Sequence, residues 1–180
     1  MVIYTRTGDK GTAATLGGER RSKTDALFEA GGTLDELSAH LGLVKTGAVP
    51  MGPSGAALKS MASSIQDDLI LLGAYVSSGD DAWLERLAVT PPWMESAIDS
   101  VIASHPIEGF ILAGDNELEA RLHVARTVCR RAERRFHALV DRGDPRAARY
   151  LNRLSDLLFA FALWARRPDD SLSRLPDSAP

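Results

Sequence analysis

The sequence has one cysteine in 180 residues, Cys129, so no disulfide can form within the chain and a reducing compartment is expected. The position of Cys129 on an apolar helical seam reads as a small buried hydrophobe, not as a nucleophile or ligand. The four histidines, His40, His105, His123 and His137, are scattered without ligand-like spacing, and no dedicated protein metal site is expected. GxSxG, HExxH and paired-cysteine motifs are missing, which leaves nucleophilic hydrolysis and zinc chemistry without support. No apolar run is long enough to span a bilayer. The start, Met1-Val2-Ile3-Tyr4-Thr5-Arg6, has neither an apolar targeting core nor an Arg-rich amphipathic lead. The net charge of −3 argues against general nucleic-acid binding, although Arg is concentrated between 121 and 135. Together these absences predict a cytoplasmic protein with neither nucleic acid nor membrane as partner.

What is present is amphipathic helix. A hydrophobic content of 44% with 25% charged residues is ordinary for a globular chain, and the length suits one domain. Leu27, Ala30, Leu34, Leu37, Leu41 and Val44 predict a helix over Asp25–Lys45. The pair Gly31-Gly32 inside it signals a close approach of backbone or ligand, or a regular helix that begins only at Thr33. Residues 48–55 read as a linker, followed by a second helix over 56–78 and a loop over 77–87. Thr90-Pro91-Pro92 caps and opens a short third helix that ends near Ala103. Ile107 to Leu112 reads as extended. Asn116, with Glu119 three residues on, resembles a capping box at the head of a fourth helix. Asp144-Pro145 caps and opens a fifth, with Leu151, Leu154, Leu158, Phe161 and Ala165 on its apolar face. The fold class is therefore all-α: a five-helix bundle of four long helices and one short. A single domain over 1–167 and a disordered tail over 168–180 are expected.

Three places carry potential chemistry. Residues 2–24 lack helical periodicity, and Thr5-Arg6-Thr7-Gly8-Asp9-Lys10-Gly11-Thr12 can turn N–H groups, hydroxyls and cations toward an anion. The GxxxxGK[ST] spacing is absent, so this is not a Walker A loop. On the fourth helix, Leu118, Leu122, Ala125, Cys129, Ala132, Phe136 and Leu139 form a core seam, with Arg126, Arg130 and Glu133 as a stripe beside it and Arg134 at its margin. Guanidinium forks beside a core face suit phosphate or carboxylate. Asn152 and Asp156 lie one turn apart beside the seam of the fifth helix. Residue chemistry alone reaches a nucleotide or polyanion site on a helical bundle.

The same residues form ordered blocks: Tyr4 to Thr12, Gly18-Glu19-Arg20-Arg21-Ser22-Lys23, Glu29 to Leu37, Gln66-Asp67-Asp68-Leu69, Phe110-Ile111-Leu112, Ala125 to Arg135, and Asn152-Arg153-Leu154-Ser155-Asp156. In these blocks the chain resembles the PduO-type ATP:cob(I)alamin adenosyltransferases, from Ile3 to about Arg166. The resemblance implies transfer of the 5′-deoxyadenosyl group of ATP to the cobalt of cob(I)alamin, with release of triphosphate, usually in a homotrimer with sites between subunits. Mg²⁺ accompanies ATP, and the corrinoid is a substrate. A reductase and an adenosylcobalamin-dependent enzyme are implied partners. The alternative is a non-catalytic relative that binds ATP or adenosylcobalamin to deliver or sense it.

By the same resemblance, residues 1–24 cover ATP, with Thr5, Arg6, Thr7, Gly8, Lys10, Gly11, Thr12, Ala13, Ala14 and Lys23 on the nucleotide. Arg130, Glu133 and Arg134 contact ATP and its Mg²⁺-bound phosphates, and Asn152 helps hold the nucleotide. Asp35 and Arg126 look like an ion pair near the corrinoid, formed across subunits. Phe110 stands in place of the aromatic that displaces the lower axial ligand. With Arg130, these three make the catalytic set. The chain departs from the family pattern at Ala13-Ala14, where hydroxyl residues are common, at Gly31, often Tyr, and at Ala113-Gly114-Asp115, in place of Pro-Gly-Gly.

Overall fold

A computed structural model describes residues 4–49, 51–107, 109–139, 143–169 and 172. A short antiparallel ribbon comes first: β1 (Thr12–Ala14) pairs with β2 (Arg20–Ser22), with Thr12 opposite Ser22 and Ala14 opposite Arg20. Five α-helices follow, α1 (Ala26–Ala48), α2 (Gly52–Ser78), α3 (Pro91–Ser104), α4 (Glu117–His137) and α5 (Pro145–Arg166). Four of them begin at a side-chain cap that leaves fewer orphan N–H groups in the first turn. Asp25 accepts from Leu27 N, Thr90 from Trp93 N, Asn116 from Glu119 N and Asp144 from Arg146 N.

Helix α1 packs against α2 and α4, α4 against α5, and α5 against α3. Leu37, Leu41, Leu72, Leu122, Cys129, Phe136, Leu151, Leu154 and Phe161 are all buried between these helices. Full burial of each large apolar side chain contributes about 1.5–3 kcal/mol. Arg135 pairs with Glu29 at one end of the α1–α4 contact, and Arg121 donates to the Leu43 carbonyl at 2.6 Å near the other. The two helices are therefore antiparallel. The α4 C-terminus, the α2 C-terminus and the ribbon share one end of the bundle, since Tyr75 stacks on Phe136 at 6.1 Å and Leu16 N donates to Ser77 Oγ at 2.8 Å. The α4 N-terminus and the ends of α3 and α5 share the other, where His105 Nε2 lies 3.0 Å from the Arg167 carbonyl and Asn116 Nδ2 donates to the Ala165 carbonyl at 2.6 Å. No helix among the described residues is long and apolar enough to cross a membrane.

The structure corrects several expectations. The N-terminal segment, in which no helical or strand period is legible, contains the β1–β2 ribbon. Residues 48–55 are not a linker: α1 runs to Ala48 and α2 starts at Gly52. Pro53 is tolerated because a first-turn residue has no intrahelical use for its N–H. The turn is so tight that a Cβ on Gly55 would lie 2.1 Å from the Ala48 carbonyl oxygen. Helix α2 stops where Gly79 takes the left-handed conformation, φ 74°, and Asp81–Arg86 forms a 3-10 helix inside the expected loop. Helix α1 passes through Gly31-Gly32 without a break, and beyond the adjoining backbone of α1 itself nothing among the described residues lies within 4 Å of a Cβ at either position. Of residues 107 and 109–112, none joins a strand, and Glu108 lies outside the described residues. Most of the expected tail also lies outside them. In the part described, the Asp169 carbonyl accepts from Ser54 Oγ (2.9 Å) and Trp164 Nε1 (3.0 Å), and Leu172 is buried.

Candidate active site

Helix α4 divides its charges by direction. On the side facing α1, Arg131 pairs with Glu36 and Arg135 with Glu29 across a groove also lined by Phe28, Gly32 and Thr33. The Arg131 hydrogen bond is the main reason the Glu36 carboxyl is held below its ordinary pKa. One step round the helix, Arg130 and Arg134 are exposed, and Glu133 is half-buried. None of these three has a hydrogen-bond or ion-pair partner among the described residues. An i, i+4 row of unpaired guanidiniums with a carboxylate beside it is a ready anion site.

Helix α5 brings Asn152 to the same level. Cys129 Sγ donates to the Leu151 carbonyl at 3.3 Å, so the turn of α4 that carries Arg130 and Glu133 abuts the turn of α5 that carries Asn152. The buried Cys129 thiol is pushed far above its usual pKa by desolvation, with smaller influences from Glu133, Arg130 and Asp156. A thiol so placed stays protonated and supplies no nucleophile. Asp156 pairs with Arg153 at 2.7 Å, and Arg153 reaches Glu95 of α3 at 3.1 Å, so this carboxylate is engaged in helix packing.

At the same end of the bundle the N-terminal segment is tied into shape. Arg20 Nη2 donates to the Thr7 carbonyl (2.7 Å) and to Thr12 Oγ1 (2.7 Å), bridging the loop before β1. Thr5 and Thr7 hydroxyls lie 2.8 Å apart. Lys23 N donates to the Gly11 carbonyl, and Lys23 Nζ would lie 3.1 Å from a Cβ on Gly8, so the lysine passes closely over that glycine. Arg6 holds a left-handed backbone, φ 60°, which costs an ordinary residue about 1–2 kcal/mol, with its guanidinium over the Tyr4 ring at 5.4 Å. Such strain is a pointer to function. Lys10 and Ala14 are exposed, while Thr12 and Ala13 are half-buried on the ribbon. Within one chain no hydrogen bond or ion pair among the described residues joins this segment to Arg130, Arg134 or Asn152.

The other end of α4 differs in character. Phe110 is fully exposed, with Ile107 and Leu112 exposed beside it, over a cleft of about 450 Å³ lined also by His105, Ile111, Leu163 and Arg166. An apolar loop left in water marks a binding surface. Arg126 is half-buried, its Nε donating to His123 Nδ1 at 3.3 Å and its guanidinium over Phe159 at 5.8 Å. Asp35 is exposed and makes no ion pair among the described residues, so the expected partnership with Arg126 is not formed within one chain.

A model of the cobalamin adenosyltransferase family matches residues 3–165. The chain belongs to this family. It is 38% identical over 180 residues to the human corrinoid adenosyltransferase MMAB, covering 96% of this chain and 72% of that protein. It is 41% identical over 168 residues to a corrinoid adenosyltransferase of Citrobacter freundii, covering 89% of this chain and 92% of that protein. It also superposes, with TM-score 0.81 and 30% identity over 97% of each chain, on a phenylalanine-to-alanine variant of the Lactobacillus reuteri PduO-type ATP:corrinoid adenosyltransferase complexed with cobalamin and ATP. For a member of the cobalamin adenosyltransferase family, the structure thus gathers Arg130, Glu133, Arg134 and Asn152 on two adjoining helices. It leaves Asp35 and the N-terminal segment unjoined to them within one chain. The sequence pattern assigns no role to Arg20 or His123, and reads Glu119 only as the capping-box partner of Asn116. Their partners are distant in sequence or unusual in geometry, and only the position of Arg20 inside a family block hinted at its part.

Proposed function

We propose that the chain transfers the 5′-deoxyadenosyl group of ATP to the cobalt of cob(I)alamin. The cobalt(I) electron pair attacks C5′ of the ribose, a Co–C bond forms, and the C5′–O bond breaks with its electron pair leaving on triphosphate. The corrinoid is its own nucleophile, so the protein has only to align the reacting atoms and stabilise the leaving group. The observation that carries this reading is the division of α4. Unpaired Arg130, Glu133 and Arg134, with Asn152 beside them, suit a triphosphate at the level nearer the ribbon, whereas Arg126 and the exposed Phe110 loop suit a large, largely apolar ring at the other.

In this reading Thr5, Arg6, Thr7, Gly8, Lys10, Gly11, Thr12, Ala13, Ala14 and Lys23 cover the nucleotide, and Mg²⁺ enters with ATP, held mainly by the phosphates, with Glu133 free to contact it. Asp35 of one subunit pairs with Arg126 of the next in a homotrimer. Phe110 excludes the lower axial ligand of cobalt, which eases reduction of cob(II)alamin. A reductase supplies that electron, and an adenosylcobalamin-dependent enzyme takes the product, all in the cytoplasm. The test is anaerobic incubation with chemically reduced cobalamin and MgATP, followed by corrin absorbance. Conversion to adenosylcobalamin with equimolar triphosphate is expected. ATP binding without conversion would replace this reading with a delivery or sensor protein.

A further inference from the structure

Glu119 is a fully buried carboxylate on a helix end, and its geometry exceeds that of a cap. In a capping box its side chain would return to the N–H of the cap residue, Asn116. Instead Oε2 accepts from Gly114 N at 2.7 Å, two residues further back, in the loop that carries Phe110. The other oxygen, Oε1, lies 3.1 Å from His123 Nε2; the two buried atoms face each other at ion-pair distance, and neither makes a hydrogen bond of good geometry to any described residue. His123 is 6% exposed, packed on Phe159 at 6.0 Å. Its Nδ1 accepts from Arg126 Nε at 3.3 Å. An Nδ1 that accepts has no proton, so the ring is neutral and its one N–H sits on Nε2, toward Glu119. Burial first, then the nearby Arg126 and Arg166, depresses the His123 pKa against the opposing pull of Glu119, in keeping with a neutral ring.

We infer that Glu119 and His123 are positioning residues that hold Arg126 and the root of the Phe110 loop in register through one carboxylate–imidazole–guanidinium chain. The inference rests on the proposed function only for what Arg126 and Phe110 do. Glu119 accepts from Gly114 at Oε2 and sets the negative Oε1 edge 3.1 Å from His123 Nε2, which favours the Nε2–H tautomer; that tautomer presents a lone pair to Arg126 Nε, leaving the outer guanidinium nitrogens for the corrinoid side. The same carboxylate fastens Gly114, whose φ of 119° lies where side chains rarely follow. Two groups that the proposed function sets against the corrinoid thus hang from one buried carboxylate, which makes no hydrogen bond or ion pair with Arg130 or Asn152 among the described residues.

The experiment uses the full chain and its Glu119→Gln and His123→Asn variants. Glutamine keeps an oxygen for Gly114 but turns an amide N–H toward His123 Nε2–H. Relief of that clash by tautomer exchange sets Nδ1–H against Arg126. Asparagine keeps an acceptor near the Nδ1 position but loses the reach to Glu119. Imidazole ¹⁵N spectra of the unaltered chain should show His123 neutral and protonated at Nε2, and Glu119→Gln should shift it toward the Nδ1–H form. In steady state Glu119→Gln should lower kcat/KM for the corrinoid by roughly ten- to a hundredfold, with KM for ATP within about twofold. His123→Asn should retain more corrinoid activity than His123→Leu. An Nδ1–H or charged imidazole in the unaltered chain, or equal damage to ATP and corrinoid parameters, overturns the inference. If the unaltered chain makes no adenosylcobalamin, the proposed function fails while the ¹⁵N spectrum still decides the relay.

Discussion

Tyr150 donates its hydroxyl to Asp68 Oδ2 at 3.0 Å, joining α5 to α2 in the interior. The same carboxylate accepts from Ala88 N and Val89 N at 2.7 and 2.8 Å, so it also secures the chain between the 3-10 helix and α3. Burial raises the Asp68 pKa despite these three donors, and burial raises that of Tyr150 well above its ordinary value. Tyr150→Phe keeps the ring and removes one donor from a buried acceptor. The expected cost is about 1–2 kcal/mol in unfolding free energy, read from the urea midpoint at unchanged slope. An unchanged midpoint would mean that the hydroxyl contributes nothing.

Asp144 caps α5 and receives Arg146 through both backbone and side chain, which depresses its pKa, the side-chain hydrogen bond being the largest cause. A depressed folded pKa means that the ionised form stabilises the fold. That contribution is present above the ordinary carboxylate value, about pH 4, and is lost as pH falls through the lower folded value. Asp144→Ala should therefore cost about 1 kcal/mol at neutral pH. The difference from the unaltered chain should shrink in acid, measured as thermal unfolding from pH 7 to pH 2.

Arg130 is exposed and makes no hydrogen bond or ion pair among the described residues, so its removal is expected to leave the fold intact. Arg130→Ala should leave the melting temperature within about 1 °C, because surface changes of this kind stay within ±0.5 kcal/mol. If, as proposed, its guanidinium donates to the leaving triphosphate, Arg130→Ala should lower kcat/KM for ATP by roughly 10²–10³-fold. A variant that loses stability as much as activity would place Arg130 in the fold instead of the site.

Phe110 projects into water at the cleft mouth. Phe110→Ala should not change the melting temperature. It should lower activity from cob(II)alamin at least about tenfold while sparing more of the activity from chemically reduced cob(I)alamin, since a role in excluding the axial ligand concerns reduction. Equal losses on both corrinoid states would reject that role.

By itself the sequence determined the helices, their faces and most of their caps, because these depend on residues three or four apart. The seam from Leu118 to Leu139 is buried as its spacing implies, and Thr90, Asn116 and Asp144 cap where they stand. Motif order along the chain also determined the family. Local signals misled where a residue has two uses: Pro53 and Gly55 read as linker, yet they open α2, because proline in a first turn and glycine at a close approach suit a helix start. The β1–β2 ribbon was hidden because three-residue strands carry too little periodicity to read.

Only the tertiary structure decided which charges on α4 are spent and which are free. Periodicity cannot separate Arg131, neutralised by Glu36 of α1, from Arg130 one step away, because the difference lies in which neighbour helix each faces. It likewise revealed that Glu119 serves Gly114 and faces His123 in place of its own cap, and that Arg126 leans on the His123 ring. These relations depend on distances and burial in three dimensions, where a desolvated charge must find whatever partner packing brings near.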